Sequence, residues 1–258
     1  MYTLLFYDLH RWLYEMAMAS ARVMPAFILL PFFNSSTLTG AIRMPVAMLV
    51  GVSLWPYSGA PIAGFDNAWF LIVIAKELML GLIIAFFLCL PCWVLHATGS
   101  FIDNQRGATL SSSIDPLSGV DTSELANFFN LFAAVVVLQN GGLLLLLEVF
   151  ERSYLLWAPY QMEMPGFMLV VKFITLVISH AVVLASPLII IFLLTELCLG
   201  LLARFAPQLN AFALALTVKS IIAFFLLLLY FTPIIPGKIM SLQIVPDILN
   251  GWSVKTIY

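Results

Sequence analysis

The amino-acid sequence predicts an all-α fold built from kinked, membrane-associated helices. Of the 258 residues, 63% are hydrophobic and only 9% are charged. A soluble domain carries about 25% charged residues, so this chain lacks the polar surface that a water-soluble globule needs. The apolar residues are gathered into six blocks, and prolines interrupt those blocks or their ends. We therefore expect a membrane protein or part of a membrane-embedded assembly, folded as a single domain over residues 1–258.

Each apolar block predicts a helical segment. The blocks cover approximately residues 12–33, 44–57, 68–102, 125–147, 167–195 and 211–235. Because a helix needs roughly 20 apolar residues to cross a bilayer, most blocks are long enough and block 44–57 is short. Block 68–102 is too long for one simple span and contains Pro91, so we expect a kink or a break there.

Between the third and fourth blocks lies a long polar stretch, residues 103–124, with the sequence DNQRGATLSSSIDPLSGVDTSE. A loop of about 20 residues in a compact chain is usually functional or disordered. Gly107 permits a backbone bend. Residues 122–124 predict the start of the next helix, with Asp121 as a candidate cap. Two interpretations stay open, a hairpin that enters a cavity between helices and closes a pore, or an ordinary solvent-exposed loop.

Several charged residues lie inside the apolar blocks or at their ends. They are Glu15, Arg22, Arg43, Lys76, Glu77, Glu196, Arg204 and Lys219. Each would cost about 2.5–3.5 kcal/mol at the centre of a membrane helix, so we expect them to face protein, water or each other. They are either structural ion pairs or groups that line an aqueous path or a subunit interface. Gly200, four residues from both Glu196 and Arg204, is expected to allow another helix to approach closely.

The sequence contains no residue pattern that indicates catalysis. Cys89 and Cys92 form a C-x-x-C pair with His96 one turn further on, a pattern seen in thiol oxidoreductases and in half of a metal site. A second thiol pair or further ligands are missing, so we expect buried small side chains and no cofactor. A secondary transporter that relays ions or protons through the intramembrane charges is the main alternative, although the internal repeat typical of transporters is not evident. With a net charge of −2 and no basic cluster, nucleic acid is not an expected partner.

Two long stretches of the chain resemble a known family. FIDNQRGATLSSSIDPLSGVDTSELANFFNLFAAVVVLQNGG and LASPLIIIFLLTELCLGLLARFAPQLNAFALALTVKS are similar to the SctT component of the type III secretion export apparatus. This family includes the SpaR and EscT proteins of injectisomes and is similar to flagellar FliR. The resemblance covers essentially the whole chain, including ARVMPAFILLPFFNSS near its start. The NQRG form fits the injectisome branch better than the flagellar one.

The resemblance implies a non-enzymatic subunit of a protein-export gate in the bacterial inner membrane. A single copy of this chain would stack kinked helical hairpins with SctR-like and SctS-like subunits, beside an SctU-like switch protein. Much of this multi-pass assembly would lie at the periplasmic side, and unfolded proteins would pass through its pore.

In the family, the loop that matches residues 103–118 plugs the closed pore. The matching plug residues here are Asn104, Gln105, Arg106, Gly107, Ala108, Thr109, Leu110 and Ser111. Arg106 is expected to pair with polar groups of surrounding subunits, and Gly107 to supply the bend. The tail, residues 237–258, is the least family-like part and is assigned no role.

Overall fold

The computed structural model describes residues 2–33, 38–57, 67–107, 123–166, 168–206 and 211–252. Within these ranges the regular structure is helical throughout, which confirms the all-α prediction. The α-helices are α1 (Tyr2–Leu29), α2 (Gly40–Ser53), α3 (Asn67–Leu88), α4 (Leu90–Arg106), α5 (Glu124–Gln139), α6 (Gly142–Leu156), α7 (Met168–Phe205) and α8 (Ala211–Leu242). Short 3₁₀ turns cover Pro31–Phe33 and Pro246–Trp252.

The long apolar block 68–102 folds as two helices, as its proline predicts. Helix α3 ends at Leu88 and α4 begins at Leu90, so that Pro91 is the second residue of α4. A proline is tolerated there because the N–H groups of a first helical turn have no partner within the helix. The expected break is confirmed.

The block 125–147 also divides, although we expected one segment there. Helix α5 ends at Gln139, α6 begins at Gly142, and Gly141 between them has a φ of +81°. This left-handed backbone region is open to glycine at little steric cost. The expectation of one continuous segment is wrong, and the Asn140-Gly141 pair is the turn signal that indicates the break.

The described chain forms two compact units, each assembled from separated parts of the sequence. Unit 1 comprises Met1–Cys89, Leu138–Phe173 and Gln243–Tyr258, and unit 2 comprises Leu90–Val137 and Ile174–Leu242. The prediction of a single domain over residues 1–258 stays a prediction.

In unit 1, α1 packs closely against α2 and α3. A Cβ added at Gly81 would lie 1.9 Å from the carbonyl oxygen of Arg22, and one added at Gly51 would lie 2.6 Å from that of Ala19. Small residues at such points let two helix backbones approach closely. Beside this contact lies a hydrophobic core of buried residues: Met18, Ala19, Trp55, Val73 and Tyr154.

In unit 2, α4 packs against α8 and approaches α5 closely. A Cβ added at Gly99 would lie 2.6 Å from the Cα atom of Ala126. Phe231 of α8 lies among three rings of α5, with centroid distances of 5.7, 5.5 and 4.4 Å to Phe128, Phe129 and Phe132 respectively. These contacts give α4, α5 and α8 a shared apolar core.

Two helical segments of the described residues, Ala68–Leu88 and Met168–Phe205, are long and apolar enough to cross a membrane. Up to four spans result if each of two bent helix pairs counts as one. One of these bends is in α8, where Ala213–Leu229 and Pro233–Leu242 form an angle of 72°. In α7 only 28% of the most apolar window is buried within the chain. Kinked apolar helices are confirmed, and most of the α7 surface is left for lipid or another protein to cover.

Candidate functional site at the base of residues 107–122

The polar stretch begins later than its composition indicates. Residues 103–106 form the last turn of α4, and the chain leaves the helix at Gly107, whose φ is +80°. The Gly107 N–H donates to the carbonyl oxygen of Asn104 at 3.2 Å, which closes the final turn. The predicted bend at Gly107 is confirmed, but the predicted loop start at residue 103 is wrong. An i, i+3 pair between Asp103 and Arg106 favours the helix there.

One buried carboxylate joins the two ends of the polar stretch. Asp103 Oδ1 accepts from Arg106 Nε at 2.7 Å. Its other oxygen, Oδ2, accepts from Ser123 Oγ at 2.7 Å and from the Leu125 N–H at 3.1 Å. Hydrogen bonds to an ionised carboxylate are stronger than those between neutral groups. The side chain of Asp103 thus links the last turn of α4 to the first turn of α5.

Ser123 caps α5, whose start at Glu124 agrees with the prediction. Its Oγ accepts from the Ala126 N–H at 3.3 Å, which satisfies one of the free donors of the first turn. Asp121, the predicted cap, lies outside the described residues. The same hydroxyl donates to Asp103, so the cap is itself part of the link between α4 and α5.

A second contact at this site comes from α8. Lys219 Nζ donates to the carbonyl oxygen of Gln105 at 3.1 Å and forms an ion pair with Glu196 of α7. Lys219 is 4% exposed, whereas the Glu196 side chain is 49% exposed. Because the carbonyl groups at a helix C-terminus carry partial negative charge, the ammonium group stabilises the end of α4.

A cavity of about 510 Å³ opens beside Arg106. Its lining is mostly aromatic and aliphatic: Arg106, Glu124, Leu125, Phe128, Phe129, Phe224, Leu227, Leu228 and Phe231. The guanidinium carbon of Arg106 lies 5.4 Å from the ring centroid of Phe224, within cation–π range. Arg106 therefore already has a carboxylate and a ring as partners within this chain, and its expected pairing with other subunits stays a prediction.

The predicted plug residues divide between described and undescribed parts of the chain. Asn104 and Gln105 are exposed at the end of α4, while Arg106 and Gly107 are half-buried. The remaining plug residues, Ala108, Thr109, Leu110 and Ser111, lie outside the described residues. We call Asp103–Gly107 and Ser123–Ala126 the base of the 107–122 segment.

Unit 1 contains a separate, fully buried group of charges. Arg22 of α1 donates to Glu77 of α3 through Nε at 2.6 Å and through Nη2 at 3.0 Å. It also donates to Ser153 Oγ at 3.2 Å and to the Trp157 carbonyl oxygen at 2.8 Å. The guanidinium carbon lies 4.1 Å from the ring centroid of Tyr154. A buried charge is costly unless it is paired and hydrogen-bonded, and these contacts give Arg22 both kinds of partner.

Lys76 adds a second cation to the buried group. Its Nζ donates to the carbonyl oxygens of Ala158, Pro159 and Gln161 at 3.0, 2.7 and 2.8 Å. It also lies 3.0 Å from Glu77 Oε1. These fixed contacts support the interpretation of structural ion pairs for Arg22, Lys76 and Glu77. The sequence did not indicate these carbonyl acceptors, because every residue carries a backbone carbonyl group and its residue type does not show which one lies near Lys76.

The other predicted charged residues are less enclosed. Glu15 and Arg43 are half-buried, and Arg204 is exposed. Gly200 is exposed too, and a Cβ there would meet no described atom within 4 Å. The described residues supply no helix against Gly200, so the predicted close helix packing there would involve another chain and stays a prediction. The predicted subunit interface at Arg204 stays a prediction for the same reason.

The C-x-x-C pair is embedded in apolar surroundings. Cys89 and Cys92 are both buried and not joined by a disulfide. Burial raises the pKa of the Cys92 thiol to about 12, which keeps it protonated near neutral pH and weakly nucleophilic. Within the described residues, no group of three or more His, Cys, Asp or Glu side chains is placed to hold a metal ion.

Comparison with known proteins identifies relatives over nearly the whole chain. The profile of the family described as "Bacterial export proteins, family 1" matches residues 13–241. The surface presentation of antigens protein SpaR of Salmonella typhimurium is 45% identical over 252 residues, 98% of this chain and 96% of that protein. The Yop proteins translocation protein T of Yersinia pestis is 32% identical over 81% of this chain and 82% of its own length. The flagellar biosynthetic protein FliR of Buchnera aphidicola is 28% identical over 90% and 91%.

Proposed function

This chain belongs to the family of bacterial export proteins, family 1, and we propose that it is an export-gate subunit of a type III secretion apparatus in a bacterial inner membrane. Its relatives include components of secretion systems and of the flagellum. The higher identity to SpaR than to FliR supports an injectisome rather than a flagellar gate. Its role is structural rather than enzymatic, since it forms part of the wall of a pore for unfolded proteins.

Within this gate, residues 103–118, the plug that the family resemblance implies, close the pore in the resting state. The observation that carries this proposal is the base of the segment, where Asp103 holds both ends together across 20 residues of sequence. These contacts of Asp103 bring the last turn of α4 and the first turn of α5 together, so the two ends of the polar stretch lie at one place.

The surface of α7 supports assembly with further subunits. It is strongly apolar, mostly unburied within this chain, and carries the exposed groups Glu196 and Arg204. Charged groups on an apolar helix are costly against lipid, whereas a protein neighbour satisfies them. We therefore propose that SctR-like and SctS-like subunits cover this surface. An SctU-like protein is a further partner of the multi-pass complex.

A secondary transporter receives less support. A relay needs titratable groups that exchange partners, but Arg22 and Glu77 are held by two direct hydrogen bonds and enclosed on all sides. Lys76 is likewise held by three carbonyl oxygens. These charges are better explained as the core of unit 1.

The test is to replace residues 109–118 by a Gly/Ser sequence of equal length in cells that assemble the whole complex. This replacement spares Asp103, Arg106 and Gly107, so the ends of α4 and α5 keep their contacts. We expect normal assembly, measured by co-purification of the complex. We also expect raised leakage of ions or small molecules across the membrane, measured by conductance or dye entry.

Truncation after Trp252 serves as the matched control, because it removes residues of the tail to which we assign no role. It should leave both assembly and leakage at the level of the unaltered chain. Background leakage from a normally assembled complex with the 109–118 replacement would contradict the plug.

A further inference from the structure

We propose that residues 158–161 form a cation-binding turn and that the ammonium group of Lys76 is its built-in cation. The ligand that this turn takes is a primary ammonium ion, which supplies both a positive charge and N–H donors. By occupying the turn, Lys76 attaches the connection between α6 and α7 to α3. The inference concerns unit 1 alone, so its failure would leave the proposed gate function untouched.

The turn follows closely on the end of α6 at Leu156. The Gln161 N–H donates to the carbonyl oxygen of Ala158 at 3.1 Å, which closes the turn. The carbonyl oxygens of Ala158, Pro159 and Gln161 lie 3.0, 2.7 and 2.8 Å from Lys76 Nζ. Backbone carbonyl oxygens of this kind replace the water around a cation in the filters of ion channels. Three oxygens of one short segment thus converge on a single charge.

The donors and acceptors of the turn match an ammonium ion in number. A lysine side chain has three N–H donors and no acceptor, and the three carbonyl oxygens use all of its donors. Because Lys76 is only 5% exposed, bulk water does not take its place at these oxygens. Buried carbonyl groups that lose their donor pay the cost of desolvation, so the turn depends on the cation.

The charge balance of the buried group also involves the carbonyl groups. Arg22 donates two hydrogen bonds to the Glu77 carboxylate, at 2.6 and 3.0 Å, and so takes up its negative charge. Glu77 Oε1 lies 3.0 Å from Lys76 Nζ as well, which leaves two cations beside one carboxylate. The carbonyl oxygens of the turn carry partial negative charge, as at a helix C-terminus, and offset the excess.

Aromatic contacts attach the same connection to α3 on either side of the cation. Tyr160 stacks on Trp69, with ring centroids 6.1 Å apart and an interplanar angle of 4°. Phe173, in the second turn of α7, has its ring centroid 5.4 Å from those of Phe86 and Phe87. The connection therefore contacts α3 near its start, at the buried cation and near its end. Of these contacts, the cation is the one that binds the backbone itself.

The melting temperature of the purified chain in detergent tests the proposal. Lys76→Ala deletes the propylammonium part of the side chain and should lower the melting temperature by about 6–20 °C, the shift that follows from breaking a buried charge contact in a chain of this size. Added n-propylammonium chloride supplies the deleted atoms and should restore most of the loss in a saturable manner. The same salt should leave the melting temperature of the unaltered chain unchanged.

Lys76→Met is the matched control variant, because its side chain keeps an apolar stem and fills the space that a free ion needs. It should be destabilised and show no response to n-propylammonium. Tetramethylammonium, which has the charge but no N–H donor, should not stabilise Lys76→Ala. A Lys76→Met chain as stable as the unaltered one would overturn the proposal. Equal stabilisation of both variants, equal stabilisation by both salts, or no rescue of Lys76→Ala would overturn it too.

Amide hydrogen exchange provides a second measurement in case Lys76→Ala does not fold. In Lys76→Met, exchange of the peptide that covers residues 157–161 should accelerate about tenfold or more, because the turn loses hydrogen bonds to a charged group. Peptides from α5, in unit 2, serve as the reference and should exchange as in the unaltered chain. Unchanged exchange over residues 157–161 would show that the turn keeps its shape without a cation, which would reject the proposal.

Discussion

The two units of the chain each contain a network of charged side chains, and the networks differ in how completely they are enclosed. In unit 1, Arg22 and Glu77 are fully buried and Lys76 nearly so. In unit 2, Asp103 and Lys219 are buried, but their partners Arg106 and Glu196 reach solvent. The first network joins α1 and α3 to the residues at and after the end of α6, and the second includes the end of α4 and the start of α5.

This difference separates a permanent core from a releasable contact. Breaking one pair in unit 1 leaves a charge with no access to water, so the network holds for as long as the unit is folded. In unit 2, a partly exposed partner exchanges a protein contact for water or another charge at smaller cost. Similar residue types therefore stabilise a core in one unit and join the ends of helices in the other.

The largest effect is expected from Glu77→Ala in unit 1. The change leaves Arg22 and Lys76 buried without their carboxylate, which should lower the free energy of unfolding by about 3–5 kcal/mol. Denaturant or thermal unfolding of the purified protein in detergent measures it. The double change Glu77→Met with Arg22→Met should cost less than the sum of the single changes. Additive losses would show that the two side chains do not act as a pair.

Gly81→Ala comes next and tests the close contact between α1 and α3. The added Cβ would lie 1.9 Å from the Arg22 carbonyl oxygen, so the helices must separate. We expect a loss of stability of about 1–3 kcal/mol or more, measured by the same unfolding assay. Gly200→Ala is the matched control in unit 2, since its Cβ meets no described atom within 4 Å. It should be neutral or stabilising by up to about 1 kcal/mol. Equal losses at both positions would contradict the packing described for Gly81.

Asp103→Asn should have a smaller effect on stability and a clear one on the gate. An amide keeps an acceptor but loses the charge that binds Arg106 and Ser123, at a cost of about 1–2 kcal/mol. Because that link secures the base of the 107–122 segment, leakage of the assembled complex should rise as well. Lower stability with unchanged leakage would limit Asp103 to a structural role.

The smallest effect is expected from Asp247→Asn. Asp247 Oδ1 lies 2.8 Å from Arg152 Nη2, and the two side chains are 72% and 40% exposed. Exposed ion pairs contribute about 0–1 kcal/mol, so both unfolding and leakage should stay close to those of the unaltered chain. A loss as large as that of Asp103→Asn would show that the exposure of an ion pair does not determine its contribution to stability.

Much of the fold follows from local patterns. Apolar block lengths indicate the helices, Pro91 places the break between α3 and α4, and Gly107 marks the end of α4. The start of α5 at Glu124 follows equally from the residues before it. Each of these features depends on the properties of a few neighbouring residues.

Local sequence patterns predict the backbone less well where two local tendencies compete. The polar residues at 103–106 have a loop-like composition, but the Asp103–Arg106 pair and the contacts of α4 keep them helical. The apolar block 125–147 looks continuous, but Gly141 adopts a φ of +81° and interrupts it. In the first place an ion pair favours a helix among polar residues, and in the second a glycine interrupts a helix among apolar ones.

By itself, the sequence determined that the chain is helical, apolar and related to bacterial export proteins, and that its internal charges need partners. Only the tertiary structure decided which partners these are. Arg22 meets Glu77 across 55 residues, Lys76 meets carbonyl oxygens about 80 residues away, and Asp103 meets Ser123 across 20. The physical reason is that composition determines the cost of an isolated charge, whereas packing between distant helices determines which donor and acceptor come within 3 Å.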